Sequence, residues 1–217
     1  IFALKGGTAI NLFIRDMPRL SVDIDLTYLP IEDRPTSLRT IKDALLRIEA
    51  AIKAGIPGAR IQRSFTKGEN ALTKLLVNAD GAQIKIEVTP VSRGCVYPPE
   101  MRTVRPKVED AFGFAEMQVV SFADLYAGKI VATLDRQHPR DLFDVRDLLR
   151  NEGVDDALRA AFAVYMICHD RPMAEVLGSG QKDIAQEFQR GFAGMTEEPV
   201  DLEELVAARA TIVDIMV

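Results

Sequence analysis

Two aspartates, Asp23 and Asp25, interrupt the apolar stretch RLSVDIDLTYL at residues 19–29. Read as a β-strand, its alternation puts Val22, Ile24 and Leu26 on one face and both carboxylates on the other. Like charges at neighbouring same-face positions repel, and aspartate is a poor strand former. Such a strand is either a solvated sheet edge or one face of a site that holds a cation, a divalent metal above all. A D-x-D pair alone does not decide between them.

Three other segments bear on the choice. GGT at Gly6–Thr8 ends the apparent strand FALK and opens the short helix AINLFIR. Glycines let a backbone approach a phosphate, and a helix start points N–H groups at it, although plain tight turns look the same. AQIKIEVTP alternates cleanly, with Gln83, Lys85, Glu87 and Thr89 on one face. Glu87 is then a lone acid that either pairs with Lys85 or joins Asp23 and Asp25 if the two strands are neighbours. Three converging carboxylates are the oxygen set suited to Mg²⁺ with a nucleotide triphosphate. The third segment is GKIVATLDRQHPRDLFDVRDLL, where Lys129 and Arg136 are two helical turns apart and share a face. Two such cations suit phosphate, while Arg140, Asp141 and Asp144 also read as ordinary helix-start residues with an Asp144–Arg140 pair.

Along the chain the first half reads as mixed α/β. A helix is expected over 37–54, capped by Thr36 or Ser37 and ended by Gly55. Three strands follow, GARIQRSFT, ALTKLLVNA and AQIKIEVTP, joined by the turn sequences KGEN and NADG. Residues 90–107 read as an irregular excursion. From Ser121 the pattern turns helical: SFADLYAGKIVATLDR opens with a capping box of Ser121 and Asp124, and a second helix starts at Pro139. Further helices are expected near 154–169, 183–192 and 201–216. The division falls near residue 115, with an α/β domain over 1–115 and a helical domain over 116–217. The chain opens inside a strand at Ile1, so a preceding segment is expected.

A net charge of −5 over 217 residues argues against a surface that binds nucleic acid everywhere. Local basic clusters remain, such as Arg60, Arg63, Lys67, Lys74 and Lys85. Cys95 and Cys168 are far apart and read as buried reduced thiols, consistent with the cytoplasm. No apolar run reaches membrane-spanning length, and no leader is visible.

The set GGTAINLFIR, RLSVDIDLTYL, IKIEV and KIVATLDRQHPRDLFDVRDLL resembles the AbiEii/AbiGii-type nucleotidyltransferase toxins. These are the toxin halves of type IV toxin–antitoxin and abortive-infection systems, within the DNA polymerase β-like superfamily. The resemblance covers residues 1 to about 150 well and the remainder in general character. It implies an α+β fold, a nucleotidyltransferase-like mixed β-sheet with flanking helices followed by a C-terminal helical domain. It implies that Asp23, Asp25 and Glu87 bind Mg²⁺ or Mn²⁺, and that Lys129 holds the triphosphate with Asp141, Arg136 and Arg140 beside it. Gly6, Gly7, Thr8 and Ser21 would border the phosphates. The implied reaction moves a nucleoside monophosphate from NTP to an acceptor hydroxyl, the 3′ end of tRNA in several such toxins, and a cognate antitoxin is the implied partner.

The residues leave rivals open. A nucleotide-sugar glycosyltransferase explains D-x-D but requires neither GGT before it nor Glu87 after it. A non-catalytic nucleotide-sensing module would bind NTP and transfer nothing, and loss of a metal ligand is its usual sign; here all three acids are present. An NTP-dependent modifier of a protein partner is the remaining alternative.

Overall fold

The structure, a computed structural model, describes residues 1–66 and 68–217; Lys67, part of a basic cluster and the first residue of the KGEN turn, lies outside them. Strand β1 (Phe2–Lys5) leads into a one-turn helix, α1 (Gly6–Ala9), and a π-helical stretch, Ile10–Ile14, before β2 (Ile24–Tyr28). β2 is shorter than its sequence alternation suggests. Residues 20–23 run ahead of it as irregular chain, with Leu20 and Val22 exposed. The reason is a competing partner: Arg19 bridges to Thr196, and the Leu20 N–H donates to the Met195 carbonyl, 2.9 Å away.

Helix α2 (Arg34–Gly55) starts a turn earlier than expected because Asp33, not Thr36 or Ser37, is its cap. The Asp33 carboxylate accepts the Thr36 N–H at 2.9 Å, and Pro35 is tolerated where a first-turn N–H has no partner. Strands β3 (Arg60–Phe65), β4 (Leu72–Ala79) and β5 (Ala82–Arg93) form the meander read from sequence. Asp80 and Gly81, alone between β4 and β5, both take positive φ (50° and 79°), the signature of a tight hairpin. The segment 90–107, expected as irregular, carries the end of β5, strand β6 (Glu100–Thr103) and the first turn of α3 (Pro106–Phe112). β6 lies at the sheet edge with little burial, so its sequence shows no apolar alternation.

Strand β7 (Glu116–Val119) pairs in parallel with β1, and the sheet runs β3-β4-β5-β2-β1-β7-β6. It is mixed: β2 lies antiparallel to β1 but parallel to β5, and α2 with the β3–β4 hairpin supplies the connection. The first element beyond residue 115 is thus a strand of the same sheet.

Helix α2 is fastened to β3 by Glu49, which is buried and accepts from Arg63 (2.7 Å) and Lys53 (2.7 Å). The Arg63 hydrogen bond, then that of Lys53, holds its carboxyl down at about 2. A depressed carboxylate contributes stability above its unfolded value of about 4.3, and this is lost as pH falls through the folded value. Glu49→Gln should therefore lower the melting temperature at pH 6, and the gap to wild type should close as pH drops from 4.5 towards 2.

Helix α4 (Phe122–Arg136) runs through the centre of the helical layer, with Tyr126, Ala127, Ile130 and Leu134 fully buried. Ser121 caps it as expected, accepting the Asp124 N–H at 3.0 Å. The Asp124 carboxylate reaches back to Ser121, whose hydroxyl donates to it at 2.6 Å. It accepts the Val96 and Tyr97 N–H groups (2.7 and 2.9 Å) and pins that segment to the helix. α5 (Pro139–Asn151), α6 (Asp156–Ile167), α7 (Met173–Leu177), α8 (Ala185–Gly191) and α9 (Leu202–Met216) complete the layer. One apolar core runs from Leu4 and Val88 in the sheet through Ile130 to Leu158 and Ile212. Neither cysteine matches the buried-thiol expectation fully: Cys95 is half-buried and Cys168 exposed.

Candidate active site

The sheet register puts Lys5, Asp25, Glu87 and Lys74 in one row across β1, β2, β5 and β4. β2 and β5 are neighbours, so Asp25 and Glu87 sit opposite each other on one face, and Asp23, in the chain just ahead of β2, lies beside β5 with its Oδ1 3.4 Å from the Lys85 N–H. The Lys85 ammonium lies among all three carboxylates, 3.1 Å from Glu87, 3.5 Å from Asp23 and 3.7 Å from Asp25. Burial pulls against ionisation of Lys85 and Glu87, yet the opposite charges prevail. Asp25 with Glu87 and Asp23 raises the Lys85 pKa, while Lys85 and Lys74 lower that of Glu87. Lys5 goes the other way, because burial outweighs Asp25 and lowers its pKa.

The three acids therefore converge on one cation position. Their spacing is that of an ammonium contact, about 1 Å or more longer than the roughly 2.1 Å that Mg²⁺ requires. No group of three such side chains among the described residues stands at metal-ligating spacing. Three hard carboxylate oxygen donors from adjacent strands nevertheless fit Mg²⁺ or Mn²⁺ in kind.

The Gly6–Gly7 turn packs directly against this row. Gly6 has φ +76°, and a Cβ there would stand 2.7 Å from the Asp25 Oδ2. A Cβ on Gly7 would meet the Ser21 Oγ at 2.7 Å and the Arg19 guanidinium at 2.8 Å. Thr8, buried behind them, bonds the Asp23 carbonyl and lies 3.2 Å from the Ser21 hydroxyl. The approach of Asp25 and the positive φ thus require glycine at position 6, and the Ser21 and Arg19 side-chain ends leave little space for more than glycine at position 7. Gly6→Ala should cost about 1–3 kcal/mol in urea unfolding, from left-handed strain plus displaced Asp25.

Behind the turn lies a chain of alternating charges. Arg19 donates to both oxygens of Asp144 (2.8 and 2.6 Å), and Lys129 joins Asp144 (3.0 Å) to Asp141 (2.8 Å). Arg136 closes the series on Asp141 at 2.5 Å. Asp141 and Asp144 are 2% and 1% exposed, whereas Arg136 is 62% exposed and stands near enough to Asp25 to feel its charge. Burial opposes both carboxylates, but Lys129, with Arg136 on one and Arg19 on the other, holds both well below the usual range. Lys129 has to be paired because it projects from the central helix of the fold.

The structure thus brings Asp23, Asp25, Glu87, Gly6, Gly7, Thr8 and Ser21 together, with Arg136 at their margin. The Lys129 ammonium, assigned by resemblance to the triphosphate, is instead buried between Asp141 and Asp144. Asp144 binds Arg19 and Lys129 rather than Arg140, which is exposed on the first turn of α5. Sequence reasoning missed Arg19, which lies 125 positions from its partner and carries no local signal. It saw Lys85 only as a partner for Glu87, although the shared strand face pointed at all three acids.

A model of the family described as nucleotidyl transferase AbiEii toxin, type IV TA system, matches residues 1–213. The chain belongs to the AbiEii family. It is accordingly a nucleotidyltransferase toxin of a type IV toxin–antitoxin system. Among solved structures it is similar to MenT4, a nucleotidyltransferase toxin from Mycobacterium tuberculosis H37Rv. The likeness has a TM-score of 0.66 at 19% identity and covers 99% of this chain and 75% of that one, which speaks for a shared fold. No curated protein sequence matches the chain. Among the described residues, no helix of this AbiEii member is long and apolar enough to cross a membrane.

Proposed function

We propose that this AbiEii toxin moves a nucleoside monophosphate from NTP to an acceptor hydroxyl, releasing pyrophosphate, and that the acceptor is the 3′ end of tRNA. The observation that carries the reading is the convergence of Asp23, Asp25 and Glu87 on one cation position beside a glycine turn that leaves no room for a Cβ. Asp23, Asp25 and Glu87 are the residues to hold Mg²⁺ or Mn²⁺. A divalent ion held by them would supply positive charge for an in-line displacement at the α-phosphorus.

The chain's own residues do the rest. The Gly6–Gly7 turn with Thr8 and Ser21 lets the phosphates lie close to the backbone. Arg136, exposed and within reach of the charge on Asp25, takes charge developing on the departing pyrophosphate, and Arg140, exposed on the first turn of α5, is a second cation for it. Lys129 works through its partners: by neutralising Asp141 and Asp144 it keeps Arg136 and Arg19 in place, and Arg19 fixes the segment that carries the two aspartates. Residues 1–115 carry the carboxylates and the glycine turn, and residues 116–217 contribute the Lys129, Arg136 and Asp141 series. The cytoplasm, where NTP, tRNA and a cognate antitoxin meet, is the matching location.

The test is incubation of the protein with Mg²⁺, each α-labelled NTP in turn, and total tRNA. Label in RNA names both nucleotide and acceptor class. Label in a protein fraction instead would replace the RNA acceptor with a protein partner, and NTP binding without any transfer would make this a sensing module.

A further inference from the structure

The row of acids already holds a cation of its own. Lys85 lies two positions from Glu87 on the same strand face, and its ammonium is within 3.7 Å of three carboxylates, Glu87 on its own strand, Asp25 on β2 and Asp23 just ahead of β2. Lys74, one strand away, reaches Glu87 alone, at 3.1 Å. An ammonium and a divalent ion cannot share that centre: the ammonium holds the oxygens apart at hydrogen-bonding distance, while Mg²⁺ or Mn²⁺ would draw them in by about 1 Å.

We propose that Lys85 is a built-in competitor for the metal. It neutralises the three carboxylates when no metal is bound and must withdraw before they can close on one. Its four-carbon stem allows this, because a half-buried ammonium can swing towards solvent or towards a bound phosphate without backbone movement. The site would then be stable when empty yet engage metal only weakly, tightening when metal arrives with the triphosphate and Lys85 gains another anion. This inference rests on the carboxylates being the metal ligands.

The experiment is calorimetric titration of Mn²⁺ into EDTA-treated, dialysed full-length wild type, Lys85→Met and Lys74→Met, with melting curves of each in EDTA. Removing a positive charge under 4 Å from the ion's position should tighten Mn²⁺ binding at least tenfold in Lys85→Met, and clearly less in Lys74→Met. Without metal, Lys85→Met should melt several degrees below wild type. If it does not fold in EDTA, Lys85→Gln keeps part of the stem and one donor group and serves for the same comparison. Unchanged or weaker Mn²⁺ affinity in the Lys85 variant, with binding intact in wild type, would overturn the inference and leave the metal reading standing. Absence of Mn²⁺ binding in both proteins would overturn the metal reading and the inference with it.

Discussion

Asp25→Ala should reduce nucleotidyl transfer by at least a thousandfold while leaving the fold intact. Asp25 occupies the middle of the site: it faces Glu87 in register, lies against Gly6, and sits 3.7 Å from the Lys85 ammonium. A carboxylate that carries a metal contributes several kcal/mol of transition-state stabilisation, and each 1.4 kcal/mol is about tenfold in rate. Its structural role is small by comparison. The side chain is 33% exposed, and its removal relieves repulsion from Asp23 and Glu87 as well as losing Lys85, so unfolding should change by about 1 kcal/mol or less. The measurement pairs label incorporation with a melting curve. Residual activity within tenfold of wild type would remove Asp25 from the catalytic machinery.

Lys129→Met should have the opposite signature, a large loss of stability. Asp141 and Asp144 are both buried and share this ammonium, at 2.8 and 3.0 Å. Taking the shared cation away leaves two carboxylates in the core with one cation each, Arg136 and Arg19, and breaking a buried pair costs about 3–5 kcal/mol. For a chain of this size that is a fall of roughly 10 °C in melting temperature. Arg136→Ala offers the contrast. Arg136 is 62% exposed and touches only Asp141, which keeps Lys129, while Asp144 keeps both its cations, so its loss should cost clearly less stability than that of Lys129 while weakening activity. If Lys129→Met unfolds like wild type and loses only NTP affinity, Lys129 is a phosphate ligand, as the family resemblance implies, and the buried series is secondary.

The difference between these two residues also marks how far the sequence could be read. Asp23, Asp25 and Glu87 were visible because alternation assigns each to a face, and a sheet can bring two such faces together with few register choices. The GGT turn was visible because glycine at a strand-to-helix junction signals close approach. The helices of the second half followed from their apolar period and from caps such as Ser121. What stayed hidden depends on partners distant in sequence. Arg19 meets Asp144 only after the helical layer has packed on the sheet, and no local pattern separates it from an ordinary strand-flanking arginine. Lys129 stands out in the sequence by its spacing to Arg136, yet its burial follows from α4 being covered on all sides, which spacing alone does not reveal. The shortened β2 has the same origin, since residues 195–197 claim the chain at residues 18–20 before the strand begins.

The position of a bound metal decides whether Asp23, Asp25 and Glu87 are its ligands. Crystals grown with Mn²⁺ and a non-hydrolysable NTP analogue, measured at the manganese absorption edge, would locate it. An anomalous peak is expected at about 2.2 Å from oxygens of Asp23, Asp25 and Glu87, with the Lys85 ammonium withdrawn and the triphosphate along Gly6 and Gly7. A metal bound elsewhere, or an analogue seated with Lys85 still among the three carboxylates, would contradict that assignment.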